Sequence, residues 1–205
     1  MMPSLNLLIA LLSAFGGAQP KVDAQPVTIT YFIADGSPSS GFRASDRQLA
    51  TWAFANWQRG LPAGYTLSPT AERDAQVRIY WTEPNDGRYG EAQPIDVGGR
   101  RGAAVFIQAD VALLDPEIAQ RAAADNLLRD TVVYLTCLHE IGHALGLAHT
   151  RDFRDIMYFF GYGGDIVEFF SRYRRQLRSR ADIATVSGLS DADIGRLRAI
   201  YRTGP

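Results

Sequence analysis

Apolar positions along the chain switch between two periods. Residues 27–33, Val-Thr-Ile-Thr-Tyr-Phe-Ile, are rich in β-branched and aromatic types and predict a first strand. Over residues 45–59 the apolar Leu49, Trp52, Ala53 and Trp57 recur at helical spacing, which predicts an amphipathic helix with Ser45 as its cap and both tryptophans in the core. Residues 76–81 alternate as a strand and residues 103–108 form another, separated by a glycine-rich loop over 85–102. Farther on, Phe169, Phe170, Tyr173 and Leu177 are interleaved with Arg172, Arg174, Arg175, Arg178 and Arg180. That pattern predicts a helix with one apolar side and a solvated arginine face, the alternative being a docking surface for an anionic substrate or a membrane. Ser190 opens a last helix as N-cap, with Asp193 three residues on and Ile194, Leu197, Ile200 and Tyr201 along one face. No internal repeat or low-complexity linker divides the chain.

Composition changes this picture little. Apolar residues make up 46%, charged residues 21%, and the formal net charge is −1, so nothing points to nucleic acid or to a wholesale membrane partner. The amino terminus adds a destination. The short apolar run over residues 5–15 is followed by small residues that would suit cleavage after Ala18 or Ala24, as in a secretory signal peptide, although no Lys or Arg precedes it. The run is too short to span a bilayer comfortably. The expectation is a signal peptide over 1–24 and one catalytic domain over 25–205, acting in the extracellular space or the periplasm without membrane insertion once the signal is removed. The alternative is a signal that stays as an anchor. Cys137 is the only cysteine, so no disulfide can form within one chain.

Candidate chemistry sits in one stretch, His139-Glu140-Ile141-Gly142-His143-Ala144-Leu145-Gly146-Leu147-Ala148-His149, which holds all three histidines of the 205 residues. On a helix His139 and His143, four apart, project from one face and can meet a single ion. Glu140 supplies a carboxylate that can stand beside water at that ion and take its proton. His149 comes six residues after His143, where an unbroken helix would carry it to another face, so the chain must turn. Gly146 is placed to end the helix through a left-handed residue. Turning there makes His149 a third ligand and leaves the fourth tetrahedral position open, as in catalytic rather than structural zinc sites. On average residue usage this spacing arises by chance on the order of once in 10^5 chains of this length. Cys137, two residues ahead of His139, rotates toward the packed side with Val133, Ile141 and Ala144 and reads as a buried, inert thiol.

The HExxHxxGxxH pattern resembles the zinc signature of the metzincin metallopeptidases. Met157, in Asp155-Ile156-Met157-Tyr158, follows His149 after seven intervening residues and resembles the methionine turn beneath the metal in that clan. The short spacing and the tyrosine after the methionine are similar to the matrixins, the matrix metalloproteinase-like group, and residues 189–201 resemble their closing helix. The resemblance implies an α+β, zincin-like fold: a twisted mixed β-sheet, an active-site helix and a small C-terminal helical subdomain. It implies one catalytic Zn2+ on His139, His143 and His149, Glu140 as general base, Gly146 and Met157 as structural supports, and Asp193 bonding beneath the methionine turn. It also implies an exposed edge strand that pairs with extended substrate, for which Ala103, Ala104 and Val105 are the best local match. Calcium is an open alternative at Asp86, Asp96, Asp110 and Asp115, where turn-forming aspartates are the commoner meaning. A second histidine-based zinc site has no histidine left. Three departures stand out: Ala192 replaces the first of two adjacent aspartates, Phe159 replaces the proline after Met-Tyr, and no cysteine-containing propeptide motif precedes the region. Residues 161–188 run longer than in a minimal matrixin, where the family builds one wall of its main specificity pocket. The function implied is a secreted, monomeric zinc endopeptidase acting on protein or peptide substrates. The alternative is a zinc-dependent binding or processing factor on the same scaffold, without general proteolysis.

Overall fold

The computed structural model describes residues 26–83 and 89–202. The signal-peptide expectation over 1–24 and Asp86 therefore lie outside the described residues. In chain order the elements are β1 (Val27–Ile33), α1 (Asp46–Gly60), β2 (Tyr65–Pro69), β3 (Val77–Trp81), β4 (Gly90–Val97), β5 (Arg100–Ile107), α2 (Pro116–Ala124), α3 (Asn126–Ala144), α4 (Ile166–Arg174) and α5 (Asp191–Ile200), with short 3-10 turns between them. The architecture is α+β, as the resemblance implied.

The five strands lie in the order β2-β1-β3-β5-β4. All neighbours are parallel except β4 and β5, which run antiparallel from Gly90 opposite Ile107 to Val97 opposite Arg100. Among the described residues helices cover one face only. α1 and α3 pack together against that face, burying Leu49, Ala53, Phe54 and Trp57 with Val133, Cys137, Leu138 and Ile141 over Ile79, Val105 and Ile107. One-sided burial explains the alternation of β3, whose Val77, Ile79 and Trp81 point inward. On the other face Tyr80 and Phe106 stack at 5.7 Å.

β4 corrects the expectation of a glycine-rich loop over 85–102. Gly98 and Gly99, both at positive φ (59° and 77°), form its two-residue hairpin turn into β5. The strand hides in the sequence because Glu91, Gln93, Pro94 and Asp96 give it a polar, proline-bearing character that suits only a sheet edge. α1 also departs from expectation in one detail: Ser45 occupies the N-cap position but makes no side-chain cap. Asp46, the first residue of the helix, accepts instead from the upstream Arg43 N–H at 2.8 Å and forms a buried ion pair with Arg129 of α3.

Of the five arginines predicted to form a solvated face, Arg175 and Arg178 are exposed, while Arg172, Arg174 and Arg180 are engaged with the fold. Arg172 donates to the carbonyl of Phe153 and lies over the Phe169 and Phe153 rings. Arg174 bonds Asp125, the N-cap of α3, at 2.8 Å, and Arg180 bonds Asp130 at 2.8 Å and covers Trp52. These side chains fasten α4 and the following turn onto α3 and α1. In α5 the apolar stripe is narrower than predicted, with Leu197 fully buried but Ile200 exposed. Among the described residues no helix is long and apolar enough to cross a membrane.

Candidate active site

Asp125 starts α3 by accepting from the N–H groups of Leu127 and Leu128, and the helix then runs through the core to Ala144. Its end is set by Gly146 at φ 98°, where Leu147 N–H reaches back to Gly142 O at 3.0 Å and Gly146 N–H to His143 O at 2.9 Å. This is a Schellman-type close, and only glycine takes that φ without strain. The chain doubles back there and returns His149 to the open side of α3.

The three imidazoles converge. His149 Nε2 lies 3.3 Å from His139 Nε2 and 3.0 Å from His143 Nε2. Nitrogens held about 2.0–2.1 Å from one tetrahedral ion stand roughly 3.3 Å apart, so the spacing fits zinc. The outer nitrogens decide the chemistry. His139 Nδ1 donates to Ile156 O at 2.7 Å and His143 Nδ1 to Leu147 O at 2.8 Å, which commits their protons and leaves bare lone pairs on Nε2. Lone pairs that face each other repel, and a cation between them removes the conflict. Burial pushes the His139 imidazole down to about 4, helped by its two histidine neighbours, and lowers His143 and His149 as well. Neutral imidazoles are the form that ligates. Among the described residues this is the one group of three or more His, Cys, Asp or Glu side chains able to hold a metal.

Glu140 is buried next to them. Burial pushes its carboxyl up to about 8, with the charge of Glu91 adding to the effect. A carboxyl in that setting holds a proton readily, and a divalent ion alongside would favour its charged form. Space for it comes from Gly90 of β4, where a Cβ would lie 2.5 Å from Glu140 Oε1.

Beneath the three histidines Met157 is fully buried. Its sulfur occupies the space where a Cβ at Gly142 would sit, 2.5 Å away, with the Trp57 ring at 3.0 Å. Gly142, between the two helical histidines, is thus a contact point for the methionine turn, a role local sequence spacing does not disclose. The turn is tied to α5. Asp193 Oδ2 accepts from Ile156 N–H and Ser190 N–H, each at 2.9 Å, and Oδ1 accepts from Arg196 at 2.7 Å. Ser190 and Asp193 form the capping box read from sequence. Since Ile156 O holds His139, the backbone of Ile156 links Asp193 to His139. Cys137 is fully buried, and burial raises its thiol far above the usual range.

Two cavities flank the histidines. One, of about 490 Å3, lies between β4 and α3 and is lined by Gly90 to Pro94, Gly102, Ala103, Glu140 and His143. The other, also about 490 Å3, is walled by Leu135, Tyr158, Phe160, Ile166, Phe169 and Phe170 beside His139 and Glu140. The predicted edge strand needs correction. β5, which carries Ala103, Ala104 and Val105, is hydrogen-bonded to β3 on one side and β4 on the other, so it has no free edge. The edge is β4. Of the three residues Ala103 reaches the cleft wall, while Val105 is fully buried. Three of the aspartates weighed for calcium serve the backbone: Asp96 accepts from Gly99 N–H, Asp110 from Ala112 N–H, and Asp115 caps α2.

Residues 22–166 match the matrixin family, peptidase M10. Interstitial collagenase from Sus scrofa is 27% identical over 139 residues, covering 67% of this chain and 28% of the collagenase. The match therefore spans less than a third of that relative's length. α5 with its capping box lies beyond the family match.

Proposed function

The chain belongs to the matrixin family, and from that premise we propose that it is a zinc-dependent endopeptidase. Convergence of three Nε2 atoms beside a buried Glu140 carries this reading. A zinc ion bound there supplies Lewis acidity toward water and toward a carbonyl oxygen. The residues do the rest. His139, His143 and His149 hold the ion, the first two fixed in one tautomer by backbone carbonyls. Glu140 takes one proton as water oxygen bonds to the scissile carbonyl carbon, then gives it to the departing amine nitrogen as the C–N bond breaks. The second water proton stays with the new carboxyl group. β4 offers its free edge to an extended peptide, and the cavity walled by Phe160, Ile166, Phe169 and Phe170 takes one apolar side chain next to the cut.

The apolar run over residues 5–15 supports action outside the cytoplasm. Structural zinc alone would leave Glu140 without a role, which favours catalysis over a binding module. The test is digestion of an unbiased peptide library by the purified protein, with product ends identified by mass spectrometry. Cuts flanked on one side by large apolar residues are expected. Intact peptides after prolonged incubation with zinc-loaded protein would refute the peptidase reading and favour the binding factor.

A further inference from the structure

The two helical histidines and His149 are held in different ways. Backbone carbonyls fix Nδ1 of His139 and His143. Among the described residues no hydrogen bond reaches Nδ1 of His149, whose ring is also the most exposed of the three. Something else must set its orientation. Phe159 stacks on it, with ring centroids 4.7 Å apart and planes 26° from parallel.

We infer that Phe159 is a positioning residue for the third metal ligand, doing by ring stacking what carbonyls do for the other two. The inference rests on the three-histidine zinc reading. Several features build the stack. Phe159 N–H donates to Thr150 O at 3.2 Å and Thr150 N–H to Met157 O at 2.8 Å, so the segments carrying the two rings are bridged side by side. Gly161 clears the ring's place, since a Cβ there would overlap the Phe159 ring. Tyr162 meets the ring edge-on at 5.3 Å, and Arg151 lies over Tyr162 at 4.5 Å. Phe159 stands where the matrixin pattern has proline, and it is 42% exposed. A large ring so exposed contributes little to the core, which separates its role from folding. The same ring lines the apolar cavity, so a side chain seated there presses on the group that orients His149.

The test measures zinc affinity by competition with a chromophoric chelator, together with the visible spectrum of the cobalt-substituted protein. Phe159→Ala and Gly161→Ala should each weaken zinc binding about tenfold and shift the cobalt bands, with the melting temperature of the metal-free protein unchanged. Phe159→Tyr should restore affinity and spectrum. Equal affinity and an unchanged cobalt spectrum in Phe159→Ala would overturn the inference. A wild-type protein that binds no zinc would instead overturn the three-histidine reading itself, and would be seen without any variant.

Discussion

Glu140→Gln should lower peptide hydrolysis by about 10^2–10^4-fold, the range typical of removing a general acid–base group, while leaving zinc content and fold intact. Glutamine keeps the shape and the packing against Gly90 but cannot accept a proton. Among the described residues no hydrogen bond reaches the Glu140 carboxylate, so the exchange breaks no existing tie to the backbone. Turnover, metal content and circular dichroism measured on one preparation separate the outcomes. Full turnover in the variant would eliminate Glu140 as the base, and lost zinc would show that the carboxylate supports the metal.

Asp193→Ala should be the most damaging change away from the ligands. Asp193 is fully buried and serves four donors: Ile156 N–H, Ser190 N–H, the Ser190 hydroxyl at 2.9 Å and the Arg196 guanidinium. Truncating one partner of such a buried charged cluster costs about 3–5 kcal/mol, which corresponds to roughly 10 °C of melting temperature for a domain of this size. The backbone of Ile156 then loses its anchor, and with it the acceptor that orients His139. Zinc affinity should fall along with stability, and denaturant titration with and without zinc reads both. A melting temperature within a degree or two of wild type would mean that the methionine turn is held by Asp155 and Arg196 without it.

Local chemistry was legible in the sequence; partners distant along the chain were not. β1 spans the predicted residues, and the His139, His143 and His149 spacing with Gly146 is short-range geometry that any helix ending in a left-handed glycine must obey. Asp193 was within reach because its capping box is also local. β4 was missed because an edge strand packs on one side and its polar residues and Pro94 imitate a loop. That omission placed the expected sheet edge one strand too far inward, at Ala103, Ala104 and Val105. Arg172, Arg174 and Arg180 look solvated by periodicity, yet their partners Phe153 O, Asp125 and Asp130 come from segments brought near by the fold. The same applies to the buried Asp46–Arg129 pair and to Gly142, whose need to be glycine arises from Met157 and Trp57.

We propose that one zinc on three histidines makes this chain a peptidase. The most direct measurement strips the protein with a chelator, returns zinc in measured portions and follows cleavage of a peptide identified from the library. Hydrolysis should vanish on stripping, rise in proportion to added zinc and saturate at one equivalent per chain. Hydrolysis that survives stripping, or stripped protein that recovers none on reloading with zinc, would show that zinc on these histidines is not what cuts the peptide.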